Sequence, residues 1–192
     1  MLAAVAAVVV LAAAIVVPLV MLDGEDEPGP SAGGDPAGSA GPSDLSAVEA
    51  YDDLPTTHVE EPVDYEQVPP VGGAHDAEWL DCGVYDEPVP DENAVHDLEH
   101  GTVWITHAPD LPAEDVETLA DQLPQNGILS PYDDLPAPVV VTVWGRQLQL
   151  TAADDPRLAL FVQEFQDGVT APEPMASCAG GTASADGGGP SA

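Results

Sequence analysis

The chain has no lysine and only two arginines, Arg146 and Arg157, set against 35 acidic residues for a formal net charge of −33. A surface so poor in cations cannot neutralise phosphates, which excludes nucleic acid as a partner. Anionic lipid headgroups are excluded as well, because their recognition runs on Lys/Arg clusters. No glycine-rich phosphate cradle exists, since the glycine runs lie near the two ends with no lysine beside them. Ser130-Pro131 is not a nucleophile elbow, so the usual serine-hydrolase signature is missing too. The excess of carboxylates reads mainly as a solvated surface, with cation attraction as its functional side.

One long hydrophobic run is present. Residues 2–22 hold only Ala, Val, Leu, Ile, Met and Pro18. Roughly 20 apolar residues suffice to cross a bilayer as a helix. A cleavable signal peptide would have a shorter apolar stretch and a small-x-small site, and no Ala-x-Ala follows here. Residues 1–22 are therefore expected to be an uncleaved transmembrane anchor, with a short basic lead expected before Met1. The acidic bulk then lies outside the cytoplasm, making this a single-pass cell-membrane protein. Residues 23–55 and 179–192 are Gly/Pro/Ser/acid-rich and read as a disordered stalk and tail. The folded unit is expected over 56–178. Its two cysteines, Cys82 and Cys178, read most simply as one disulfide in an exported domain; two free thiols or a metal-ligating cysteine are the alternatives.

Within that unit the first half is loop-rich. Val68-Pro69-Pro70-Val71-Gly72-Gly73 must run extended and then turn. Asp91 is placed to cap a short helix through Glu99, with Gly101 at its exit. Residues 102–107 alternate and are β-branched, which predicts a strand. Residues 111–123 predict a helix with Val116, Leu119, Ala120 and Leu123 on one face. Residues 138–143 and 146–150 predict two strands joined as a hairpin by Trp144-Gly145. Residues 155–166 predict a last helix burying Leu158, Phe161, Val162 and Phe165. The expected fold is a small α+β domain: a mixed or antiparallel sheet with a hairpin, two packed helices, and the histidine-bearing segment draped over it.

Chemistry concentrates in the five histidines, His58, His75, His96, His100 and His107. In His96-Asp97-Leu98-Glu99-His100 the imidazoles fall on one face of a helix, about 5–6 Å apart at Cβ, a spacing that suits chelation. One reading is a metal site of His75, His96 and His100 with His58 as fourth ligand, holding copper or zinc, with Glu99 or Asp97 as ligand or hydrogen-bond acceptor. A second reading takes His-x-x-Glu-His as an inverted zincin, a zinc-dependent hydrolase with Glu99 as general base. A third is metal-free: the histidines satisfy backbone groups of a loop-rich envelope protein that is structural or docks a partner. For His58 and His107 taken singly, the metal-free reading is the better one. Trp79, Trp104 and Trp144 sit in apolar contexts and are expected in the core.

The strings Val68-Pro-Pro-Val-Gly-Gly-Ala-His75, Cys82-Gly-Val-Tyr-Asp-Glu-Pro-Val89 and Val95-His-Asp-Leu-Glu-His-Gly101 occur in order along the chain. With Ala137-Pro-Val-Val-Val-Thr-Val-Trp-Gly-Arg-Gln-Leu148 and Pro172-Glu-Pro174, they resemble domain-of-unknown-function family 3105, common in actinobacteria. The resemblance covers residues 56–181. It implies an N-terminal membrane helix, a low-complexity stalk and one domain outside the membrane. The family's motif positions map to His58, His75, His96, Glu99 and His100. His107 departs from the pattern, where an aromatic is more usual. The resemblance brings no reaction and no protein partner with it.

Overall fold

The computed structural model describes residues 44–182. The apolar run of 2–22, and with it the expected membrane anchor, lies outside them. Among the described residues no helix is long and apolar enough to cross a membrane. The elements are β1 (Glu49–Ala50), β2 (Gly83–Val84), α1 (Asp91–Glu99), β3 (Val103–His107), α2 (Ala113–Ala120), β4 (Gly127–Pro131), β5 (Val139–Val143), β6 (Arg146–Leu150) and α3 (Arg157–Phe165). This is a mixed α+β domain.

The strands form one six-stranded sheet in the order β1-β6-β5-β3-β4-β2. β5 and β6 make the expected hairpin, with Val143 opposite Arg146. Gly145 turns it at φ +68°, and a Cβ there would meet the Tyr51 carbonyl oxygen at 2.6 Å. That leaves glycine as the only unstrained residue. β3 pairs antiparallel with β5 and parallel with β4, so α2 is the crossover of a strand-helix-strand unit.

Every residue of β3, β4 and β5 is buried, because both faces of the sheet are covered. On one face Val103, Ile105, Leu129, Val139 and Val141 pack under Leu119 of α2 and Leu158 and Phe161 of α3. On the other, Trp104 and Ile128 pack with Ala94, Val95 and Leu98 of α1 and with Leu80, Tyr85 and Trp144. Period-2 alternation thus sorts each strand between two cores. The second core carries the histidine-bearing segments.

Several boundaries differ from the sequence reading. Residues 44–55, assigned on composition to the stalk, carry β1, which pairs with β6, and pack Leu45 and Val48 on the core. At the other end Thr182 bridges Leu80 and donates to the Trp79 carbonyl at 2.8 Å, so the first tail residues are fastened down. Backbone pairing needs no apolar composition, which is why composition missed both. β4 has no counterpart in the sequence reading; it is a five-residue strand ending in Pro131. Asp91 does not cap α1. Pro90 occupies the cap position without a side-chain bond, and the Asp91 carboxylate accepts instead from the Tyr132 hydroxyl at 2.9 Å.

Below α3, Asp155 takes both Arg157 Nε (3.0 Å) and Nη2 (2.6 Å), and this buried pair fixes the helix start. The Arg157 hydrogen bond holds the Asp155 carboxyl down at about 2. An unfolded aspartate titrates near 4, so the pair stabilises the fold fully above about pH 4. That contribution is lost as pH falls from there toward 2. Asp155→Asn should cost about 2 kcal/mol at pH 7. Thermal melts of variant and parent should converge near pH 2, and a constant gap between them would refute the assignment.

Candidate metal centre

Four side chains from three chain segments meet on the second core. His75 ends the run that turns through Gly72 and Gly73, both at positive φ (+137° and +130°). A Cβ at Gly72 would come within 2.8 Å of Leu54 and 3.1 Å of the Trp144 ring, so the turn is packed as well as twisted. His58 is brought in by the backbone: Val59 N–H donates to the His75 carbonyl at 2.7 Å and His75 N–H to the Thr57 carbonyl at 3.0 Å. α1 supplies His96 and Glu99, three apart and therefore on one face. The segment after His58 is held down where Val63 N–H donates to the Glu92 carboxylate at 2.8 Å.

The three imidazoles form a nearly equilateral triangle. Ring centres of His58 and His75 lie 4.9 Å apart, His58 and His96 5.0 Å, and His75 and His96 4.9 Å. Imidazoles bonded to one tetrahedral zinc place their ring centres about 5 Å apart. One potential ligand atom from each of His58, His75, His96 and Glu99 falls within 4.8 Å of all the others. Glu99 Oε2 is 3.1 Å from His75 Nε2 and 3.9 Å from His58 Nε2.

Two of the rings are oriented by backbone carbonyls. His75 Nδ1 lies 2.8 Å from the Gly73 carbonyl and His96 Nδ1 2.8 Å from the Asp76 carbonyl. A carbonyl only accepts, so each Nδ1 carries the proton and each Nε2 presents a lone pair. This is the way ligating histidines are usually aligned. His75 Nε2 is buried and lacks a hydrogen-bond donor, and its neighbour Glu99 is acceptor-only when ionised. Two acceptors in contact need a shared proton or a cation between them. Burial, followed by the charges of His100 and His75, lowers the His96 pKa to about 4, keeping that ring neutral and ready to donate its lone pair.

Of the residues singled out in the sequence, His58, His75 and His96 converge and His100 does not join them. The His100 ring packs at 4.5 Å from His96 and 5.2 Å from Trp79, and its Nε2 sits 3.8 Å from Glu173 Oε2. Its place in the set is taken by Glu99. Asp97 is no ligand: it is fully buried, accepts the Leu80 N–H at 3.0 Å, and burial pushes its carboxyl well above the usual range. His107 stands at the end of β3 with Nδ1 on the Ala108 carbonyl. The orienting carbonyls of Gly73 and Asp76 were missed by sequence reasoning, although Gly73-x-His75 is the sort of tight local loop that allows such a bond.

Cys82 and Cys178 are joined in a disulfide, so neither is a nucleophile or a metal ligand. It pins a C-terminal strap against the end of α1. Glu173 N–H donates to the Glu99 carbonyl at 3.0 Å, and Asn126 Oδ1 takes the Cys178 N–H at 2.9 Å.

A family model described as a protein of unknown function (DUF3105) matches residues 58–180, from the first histidine of the cluster to just past the second cysteine. The chain belongs to this family. No curated protein and no solved structure matches it. All four clustered side chains of this DUF3105 chain fall inside the matched span.

Glu99→Gln tests the paired acceptors. An amide gives His75 Nε2 a donor, so in metal-free protein the substitution should raise Tm, equivalent to about 1 kcal/mol. A fall in metal-free Tm would refute the pairing of two acceptors.

Proposed function

We propose that this DUF3105 protein binds zinc or copper(II) through His58, His75, His96 and Glu99, in a domain anchored to the membrane and exposed outside the cytoplasm. The observation that carries the reading is the triangle of imidazoles with the Glu99 carboxylate against it. Imidazole and carboxylate donors suit these two ions, and a set without sulfur speaks against copper(I). The Cys82–Cys178 disulfide supports an oxidising compartment, in keeping with the apolar run of 2–22.

Binding is favoured over hydrolysis. Four protein donors fill a tetrahedral ion, and such closed sites hold metal rather than activate water. An inverted zincin needs both histidines of His96-x-x-Glu99-His100 on the metal and Glu99 free as the base. Here Glu99 faces the imidazoles and His100 turns toward Trp79 and Glu173.

The test is to dialyse the purified full chain against zinc or copper(II) and measure bound metal by elemental analysis. About one ion per chain is expected, with a Tm that rises with free metal by mass action. His58→Ala, at an exposed side chain, should weaken binding by about tenfold or more, the effect expected even of outer-shell losses, without altering the metal-free melt. His100→Ala and His107→Ala should keep the full stoichiometry. A metal-free chain after loading, or equal affinity in the His58 variant, sinks the assignment.

A further inference from the structure

The donor types at the proposed metal centre admit both zinc and copper(II), and the positions of the rings bear on that choice. Three of the four donors are imidazoles, so a square-planar arrangement must set two of them opposite each other. With metal–nitrogen bonds of about 2 Å, opposed imidazoles have ring centres roughly 6.4 Å apart, against about 5 Å around a tetrahedral ion. The three separations here are 4.9, 5.0 and 4.9 Å, and no pair approaches the opposed value. Glu99 Oε2 fits the same figure. Its distances of 3.1 Å to His75 Nε2 and 3.9 Å to His58 Nε2 fall on either side of the roughly 3.3 Å edge of a tetrahedron of donors.

The frame resists rearrangement into another geometry. His75 is sealed, with Nδ1 on the Gly73 carbonyl and the Trp144 ring edge-on at 6.2 Å. His96 is tied to the Asp76 carbonyl and packs against Trp79 at 5.5 Å and His100 at 4.5 Å. Spreading that pair by the roughly 1.5 Å a trans arrangement needs would disrupt close-packed surroundings. His58 is the freer ring, yet its neighbours Thr57 and Val59 are both paired with the His75 backbone. Six-coordination meets a different obstacle. A hard octahedral ion such as magnesium keeps several waters. His75, His96 and Glu99 are buried, and of the four donors only His58 meets solvent.

Zinc, with a filled d shell, has no geometric preference of its own and settles into four-coordinate sites. Copper(II) and nickel(II) favour square-planar or tetragonal donors. We infer that the centre is built for zinc, held four-coordinate and tetrahedral, and that copper(II) and nickel(II) enter it only in a geometry they disfavour. This choice of ion rests on the metal-binding reading above and narrows it.

Cobalt(II) is the probe, because its visible bands are intense in a tetrahedral field, which lacks an inversion centre, and weak in an octahedral one. The purified full chain, titrated with cobalt(II), should develop the intense bands, and zinc should abolish them. Inherent affinities rise from cobalt(II) to nickel(II). A tetrahedral frame reverses that order, so nickel(II) should bind about tenfold or more weaker than cobalt(II). Copper(II) added alone should show a parallel hyperfine splitting, in electron paramagnetic resonance, well below that of tetragonal imidazole complexes. His58→Ala opens a position to water and should weaken the cobalt(II) bands even at saturation, whereas His107→Ala should leave them unchanged. Cobalt(II) bound with weak bands, nickel(II) tighter than cobalt(II), or a tetragonal copper(II) spectrum would overturn the assignment to zinc while leaving a metal site in place. Failure of every ion to bind would remove the site itself.

Discussion

The seating of α1 on the sheet governs everything on that side of the molecule. Ala94, Val95 and Leu98 bury completely against Trp104 and Ile128, and each larger side chain contributes about 1.5–3 kcal/mol by leaving water. With one face committed, His96 and Glu99 have no choice but to point at the segment bearing His58 and His75. The helix must also stop on time. His100 leaves helical geometry, with ψ near 4°, and Gly101 turns at φ +79° with Gly168 so close that a Cβ would lie 2.9 Å from its Cα. One further helical residue would carry the chain into the strap instead of into β3.

A polar cluster buried by this packing is costly unless its members complete one another. The structure resolves part of that demand by giving the Nδ1 protons of His75 and His96 to backbone carbonyls. The remaining lone pairs and the Glu99 carboxylate all face inward. A metal-free protein has to tolerate them as they are, whereas a divalent ion answers them together. That inward convergence is what the proposed metal site rests on.

Elements with strong periodicity were legible in the sequence: β3, the β5–β6 hairpin, α2 and α3 sit within a few residues of where alternation and helical spacing put them. β1 and β2 were not, since two-residue edge pairings leave no side-chain pattern. β4, no shorter than the strands that were legible, was hidden by Gly127 at its start and Pro131 at its end, both of which ordinarily argue against a strand. At the candidate centre, the spacing of His96, Glu99 and His100 announced a chelating face but could not choose between the third and fourth positions. That choice depends on where α1 ends, a tertiary matter settled by Gly168. His58 was the least readable member, because its inclusion rests on main-chain pairing with residues 17 positions away.

Exposure is unevenly shared among the four donors. The side chain of His75 is sealed and that of Glu99 is 6% exposed, yet that of His58 is 52% exposed. An ion gripped there would have three bonds inside the protein and one at the boundary with solvent. An incoming chelator could displace that outermost imidazole first and take the cargo stepwise, with α1, the sheet and the disulfide left in place. Turnover of the bound ion would then be set by the swing of one ring rather than by opening of the domain.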